Sequence, residues 1–210
     1  VATIDVDAGS ILGWLEEGDE SVWLGSGIGG DAIRIDPATN TVIAQIPVGE
    51  VFSGGTSIAA QSVWFRDVEA TVYRVDPATD TVVTTIATPS GTIAMAASPD
   101  AVWAPGADNG ILYRIDPATD SIAAEIDIGA TVGADASLFG LYYGGDSMWV
   151  RFGVADGDEW ERQGVVRIDP ETNEVVAIED LPPDWGQSGM SAGPTAAWTH
   201  SDDAVARIDF

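Results

Sequence analysis

Five copies of one short phrase set the architecture of this chain: Arg34-Ile35-Asp36-Pro37, Arg74-Val75-Asp76-Pro77, Arg114-Ile115-Asp116-Pro117, Arg167-Ile168-Asp169-Pro170 and a truncated Arg207-Ile208-Asp209. The intervals between them are 40, 40, 53 and 40 residues. A period of this length marks a supersecondary unit that buries its apolar face only by stacking on its neighbours. Residues that fit the repeat are expected to serve the scaffold. Residues that interrupt it are where function is expected.

Each unit follows one grammar. A small-residue stretch such as Thr56-Ser57-Ile58-Ala59-Ala60 leads into a Trp-centred triplet. The triplets are Val22-Trp23-Leu24, Val63-Trp64-Phe65, Val102-Trp103-Ala104, Met148-Trp149-Val150 and Ala197-Trp198-Thr199. A polar loop, the Arg-Ile-Asp-Pro phrase, a tight turn and an alternating segment such as Thr41-Val42-Ile43-Ala44-Gln45-Ile46 complete it. Alternation between turn signals predicts four short strands per unit. In the turn, Asp bonds the backbone two residues on and Pro presets φ. Asn40, Asp80, Asp120 and Asn173 sit where a left-handed residue is needed, so the third and fourth strands form a hairpin.

Four-stranded units near a 40-residue period predict an all-β fold, a five-bladed β-propeller with four antiparallel strands per blade. The last unit stops at Phe210 without a fourth strand, and Val1-Ala2-Thr3-Ile4-Asp5-Val6 matches the fourth-strand pattern. The N-terminal strand is therefore expected to complete the C-terminal blade and close the ring, removing two sheet edges. One domain over 1–210 results, with blades at about 9–48, 54–88, 91–129, 137–179 and 187–210 plus 1–6. A chain that begins in mid-strand is expected to be a processed or excised product.

Composition narrows the function classes. Thirty-four acidic residues against eight arginines and no lysine give a net charge of −26. That argues against nucleic acid, which needs a basic footprint, and against anionic lipid. No apolar run reaches the roughly 18 residues of a membrane span, so no direct membrane insertion is expected. Two readings of the acidity stand: adaptation to high salt, where charge repulsion is screened, or a bias toward Ala, Asp, Gly and Val. The absence of cysteine excludes a disulfide framework and a thiol nucleophile.

The Val-Trp pair, the Arg-Ile-Asp-Pro-Ala-Thr-Asn run and the Val-Ile-Ala-Gln-Ile-Pro-Val-Gly segment resemble the YVTN-type propeller repeats. These occur in surface-layer and secreted bacterial and archaeal proteins and in relatives of streptogramin B lyase. The resemblance covers essentially the whole chain and implies an extracellular or cell-surface location. The lyases it brings in use paired histidines and a glutamate with magnesium on seven blades. This chain has one histidine and five predicted blades.

The five repeat tryptophans are expected to pack blade on blade. The repeat arginines are expected to pair with an Asp or a carbonyl of their own or a neighbouring blade, an anion-binding ring being the alternative. Arg66, Arg151 and Arg162 lie outside the phrase, in predicted second-to-third-strand loops. The main insertion runs from Arg151 to Gln163 and carries Trp160, Asp156, Asp158 and Glu159. Asp156, Asp158 and Glu159 are candidate ligands for a calcium or magnesium ion. Two irregular connections, Gly129–Asp135 and Leu181–Gly186, border it on the same predicted face. There Trp160 and Trp185, with Tyr143 or Tyr142, are candidates for an aromatic surface suited to glycan or peptide. The alternative is that both tryptophans fold down over their own loops. His200, the single histidine, is a candidate general base beside Asp202 and Asp203. The predicted inner strands, beginning with Leu12-Gly13-Trp14, carry no central acid of the kind five-bladed glycosidases use.

The leading expectation is a non-enzymatic extracellular propeller, a binding, sensor or scaffold module that recognises a protein or glycan through the irregular face of blades four and five. A secreted lyase or hydrolase with its site on that face, with or without a divalent cation, is the first alternative. A purely structural module is the second.

Overall fold

The Asp-Pro turns form as their chemistry dictates. Asp36 Oδ1 accepts the Ala38 amide at 2.7 Å, and Asp76, Asp116 and Asp169 accept the equivalent amides at 2.8, 2.7 and 2.8 Å. Asn40, Asp80, Asp120 and Asn173 close the turns with φ of 57°, 53°, 51° and 61°. The computed structural model describes all residues except 2, 7–11, 19, 28, 52–54, 90–93, 107–109, 158, 183–184, 186–188, 194, 202 and 210.

Around these turns the described chain forms five antiparallel sheets in sequence order. The first joins β1 (Leu12–Glu17), β2 (Val22–Ser26), β3 (Asp31–Asp36) and β4 (Thr41–Pro47). The second joins β5 (Thr56–Ala59), β6 (Ser62–Arg66), β7 (Thr71–Asp76) and β8 (Thr81–Ala87). The third joins β9 (Ala96–Ser98), β10 (Ala101–Pro105), β11 (Ile111–Asp116) and β12 (Ser121–Asp127). A four-residue helix, α1 (Gly129–Val132), then forms in the connection read as irregular. The fourth sheet joins β13 (Ala136–Gly144), β14 (Ser147–Asp156), β15 (Glu159–Asp169) and β16 (Glu174–Leu181). The fifth holds β17 (Met190–Ala192), β18 (Ala196–His200) and β19 (Val205–Asp209).

Each Trp faces the Arg of its phrase across the second-to-third-strand ladder: Trp23 opposite Arg34, Trp64 opposite Arg74, Trp103 opposite Arg114, Trp149 opposite Arg167 and Trp198 opposite Arg207. The guanidinium lies 5.3 to 5.8 Å from the ring centroid in all five, within cation–π range. The ladder to the fourth strand skips one residue beside the same arginine. This bulge leaves Ile43, Val83 and Val176 half exposed on the outer strands and blunts those edges.

Apolar clusters join successive sheets. Trp23 and Ile46 pack against Val63, Phe65 and Val75 of the second sheet, and Trp64 and Ile86 against Val102 and Ile115 of the third. Trp103 and Ile126 pack against Val150 and Ile168 of the fourth sheet, and Trp149 and Val165 against Ala197 and Ile208 of the fifth. Phrase arginines tie the first two joints. Arg34 donates to Pro77 O at 2.7 Å and Asp80 at 2.9 Å, and Arg74 to Pro117 O at 2.8 Å and Asp120 at 2.7 Å.

The chain termini differ from expectation. The fifth sheet is three-stranded, and no hydrogen-bonded ladder joins β19 to residues 3–6 among the described residues. Ile4 and Val6 instead pack on Leu24, Ile33 and Ile35 of the first sheet, where Gln45 donates to Val6 O at 3.3 Å. Trp198 is 47% exposed, whereas its four counterparts are buried.

Candidate binding surface on the fourth sheet

The fourth sheet outgrows its neighbours at one end. β14 has 10 residues and β15 has 11, against 5 and 6 for β6 and β7. Both pairs start level at the Asp-Pro end, so the surplus projects from the opposite, loop-bearing end. Five added residues carry the hairpin about 17 Å further. Beyond the Val154–Arg162 pair only these two strands continue, as a ribbon that turns at Gly157 with φ of 64°. Asp156, Glu159 and Glu161 are exposed on it.

The base of the ribbon is braced. Arg162 donates to Asp180 of β16 at 2.7 Å and to Val132 O at the end of α1 at 2.8 Å, and stacks 5.4 Å over Phe152. Trp160 meets Phe139 edge to face, centroids 5.0 Å apart. Gly153 lies beneath both rings, since a Cβ there would stand 2.8 Å from each. Of the two readings of Trp160, the covering role is the one seen.

Arg66 and Arg151 correct their expected placement. Both lie in strands, two residues after their Trp, and both are buried, at 0% and 1% exposure. Arg66 donates to Pro105 O of the third sheet at 2.8 Å and to Thr88 at 3.0 Å. Arg151 donates to Thr199 of the fifth sheet at 2.6 Å. Burial pulls the Arg66 guanidinium down to about 10, partly offset by Asp67 beside it, and lowers Arg151 likewise. Arg66 still carries its charge at neutral pH. Both are ties between sheets, a role that two equivalent positions in the repeat alignment could have signalled. Arg162 also lies in a strand, not a loop.

The other candidates scatter. Tyr143 sits on β13 next to the Gly145-Asp146 turn, at the end of the sheet opposite the ribbon, so it cannot join an aromatic surface there. Trp185 is half-buried, its amide bonded to Pro182 O, while Trp160 pairs with Phe139. His200 ends β18, exposed, with Nδ1 3.1 Å from Ser201 O, at a shallow cavity of about 470 Å³ that Trp198 and Met190 share. Asp202 and the candidate metal ligand Asp158 lie outside the described residues. Among the described residues no group of three or more His, Cys, Asp or Glu is placed to hold a metal.

Sequence reading missed an inner-strand acid. Glu16 stands opposite Trp23, the place held by Ser57, Ala96, Tyr142 and Ser191 in the other sheets. Burial raises its carboxyl above the usual range. Each inner residue precedes its Trp by seven positions. That fixed interval would have found Glu16, whereas the apolar Leu12-Gly13-Trp14 run drew the strand centre too early.

No protein-family model matches the chain, and no curated protein does. Among solved structures, a chain of Kuenenia stuttgartiensis hydrazine synthase is similar, with a TM-score of 0.67 and 15% identity over 86% of this chain. This chain spans 51% of that one, about half its length. At such identity the likeness concerns the fold alone, which is all-β and propeller-like.

Proposed function

We propose that this chain is a five-bladed propeller module, without catalytic activity of its own, that docks a partner protein outside the cell through the β14–β15 ribbon. The observation that carries this reading is the extension of one sheet among five into a braced ribbon edged by Asp156, Glu159 and Glu161. A scaffold serving only to stack needs no such extension. The matching partner presents a basic or polar surface, since exposed carboxylates on both the ribbon and a chain of net charge −26 select against acidic ones. Protein is favoured over glycan on the ribbon because its tryptophan, Trp160, is engaged by Phe139.

Ring closure belongs to the same reading. Ile4 and Val6 cover the face of the first sheet that corresponds to the faces covered by Ile46, Ile86 and Ile126 in the joints that follow. This packing supports the reading of the N-terminal segment as the fourth strand of the fifth sheet, although no ladder joins it to β19 among the described residues.

Glu16 is the observation on the side of a hydrolase, because burial raises its carboxyl above the ordinary value, the direction a general acid needs. Glycoside hydrolysis takes two carboxylates, and the four equivalent inner positions hold Ser, Ala, Tyr and Ser.

The test uses two baits, the intact chain and one with residues 156–159 replaced by Asn-Gly, a two-residue turn that fits the Ala155–Trp160 pair and keeps Trp160 on Phe139. A protein held by the first and lost by the second, with both baits equally stable, is the expected result. Equal retention would move the site off the ribbon, and turnover of the captured molecule would remove the non-catalytic reading.

A further inference from the structure

Three joints between sheets repeat one contact, in which the Trp of one sheet meets an inner-strand residue of the next. Trp64 shares a cluster with Met95, Trp103 with Leu141 and Trp149 with Met190. The inner-strand residue always lies beside the position that follows its own sheet's Trp. Leu141 stands opposite Val150 and Met190 opposite Thr199, while Met95 precedes Ala96, the partner of Trp103. All six side chains are buried, at 7% exposure or less. Between the fifth sheet and the first, the same two positions are Trp198 and Leu15, the latter opposite Leu24. They are 47% and 65% exposed. Each presents the surface that the other lacks.

Both side chains face the seam between these sheets. Trp23 packs toward the second sheet, whereas Leu24 packs with Ile4 and Val6 on the other face. Opposed residues of a ladder share a face, so Leu15 lies with Leu24. Ala197 packs with Trp149 of the fourth sheet, so Trp198, next in the strand, points the other way. There it shares a shallow cavity of about 470 Å³ with His200 and Val205, the latter also exposed. The charges along the seam account for its being open. Glu17 is exposed on the Leu15 face, opposite Val22, and Asp5 is exposed between Ile4 and Val6. On the Trp198 face Arg207 is paired with Asp209 of its own sheet at 2.6 Å. In the first two joints an arginine crosses to the next sheet instead, Arg34 to Asp80 and Arg74 to Asp120. Carboxylates therefore outweigh cations at the seam, in a chain whose net charge is −26.

We propose that this seam is a salt-governed latch. Charge repulsion holds it open in dilute solution, and screening lets Trp198 seat on Leu15 and Leu24, completing the contact made in three other joints. The Debye length falls from about 30 Å in dilute salt to about 3 Å in molar salt, so the repulsion fades while the gain from burying apolar surface remains. The open form bares Trp198 and Val205, and the shut form hides them. The latch rests on the reading of the chain as a five-bladed ring and does not depend on the ribbon's role.

The test is hydroxyl-radical oxidation of the tryptophans in the intact chain, read by mass spectrometry against N-acetyltryptophanamide in the same tube. Between dilute buffer and molar salt, oxidation of Trp198 should fall about fivefold or more. The buried Trp23 and Trp149 should stay protected throughout, which also reports that the fold is intact. Leu15→Gln, at an exposed site, should keep Trp198 reactive at every salt concentration. Val83→Gln, exposed but outside the seam, should behave as the parent chain does. Asp5→Asn with Glu17→Gln should halve, roughly, the salt needed to protect Trp198. Protection of Trp198 at every salt concentration would overturn the latch and leave the ring shut. Reactivity at every salt concentration would overturn the latch and the closed ring together. Protection that survives Leu15→Gln, an unmoved salt midpoint in the double variant, or protection that follows protein concentration would also overturn it, the last in favour of a second copy on this face.

Discussion

Arg34 of the first sheet and Asp80 of the second, 46 residues apart, are joined by a 2.9 Å hydrogen-bonded ion pair. Arg74 and Asp120 repeat it at 2.7 Å. Such a pair is worth little alone when partly exposed. Here the same guanidinium also binds a backbone carbonyl and lies over its own Trp, which fixes the turn of one sheet against the core of the preceding one. The repeat phrase is therefore a joint, made between the first three sheets and not made by Arg114 between the third and fourth among the described residues.

Arg114 also lacks a contact within its own sheet that its counterparts make. Arg34, Arg74 and Arg167 donate through Nε to Ser21, Ser62 and Ser147 at 2.8, 2.9 and 3.0 Å. The equivalent residue for Arg114 is Ala101, and Arg114 Nε is buried without a hydrogen-bond partner among the described residues. Ala101→Ser should stabilise the chain by about 1 kcal/mol, raising Tm by about 2–4 °C in a thermal melt. A fall in Tm would mean that the pocket around Ala101 is too tight for a hydroxyl.

Arg66 acts through burial. Truncation to Ala removes its bonds to Pro105 O and Thr88 and leaves a void between the second and third sheets. Denaturant unfolding should show a loss of about 3 kcal/mol. A change below about 0.5 kcal/mol would show that Arg66 is not a tie at all.

Glu16 gives a pH signature. Its folded-state pKa lies above the ordinary 4.5 because burial opposes ionisation. A raised acid favours the folded state fully only below its unfolded pKa, and that contribution is lost as pH rises through the folded value. Glu16→Gln should therefore raise Tm at neutral pH, and the gain should shrink toward zero below about pH 4.5. A gain independent of pH would assign the effect to shape, not charge.

Closure of the ring can be read by hydrogen exchange. If the N-terminal segment completes the fifth sheet, the alternate β19 amides that face away from β18 will exchange as slowly as the β7 amides that bond to β8. Fast exchange there, with slow exchange in β18, would leave the ring open.

Much of this architecture is legible in the sequence, because turn chemistry and alternation are local. Asp36, Pro37 and Asn40 specify their hairpin within five residues, and the 53-residue interval marks the ribbon before any coordinates do. What was illegible depends on partners far along the chain. Arg66 looks like a loop arginine until Pro105 O, 39 residues on, accepts its proton. Arg151 needs Thr199, 48 residues away. Tyr143 was misplaced because the end of a sheet on which a residue falls depends on strand length. Glu16 was missed because an inner strand need not be apolar, while the nearby Leu12-Gly13-Trp14 run is.

The role of the ribbon is tested most directly by calorimetry on the partner that the intact bait captures. Asp156→Asn, Glu159→Gln and Glu161→Gln together should weaken binding about tenfold or more, about 1.4 kcal/mol. They should also flatten its dependence on salt while Tm stays the same. An unchanged Kd with an unchanged salt dependence would contradict docking through the ribbon.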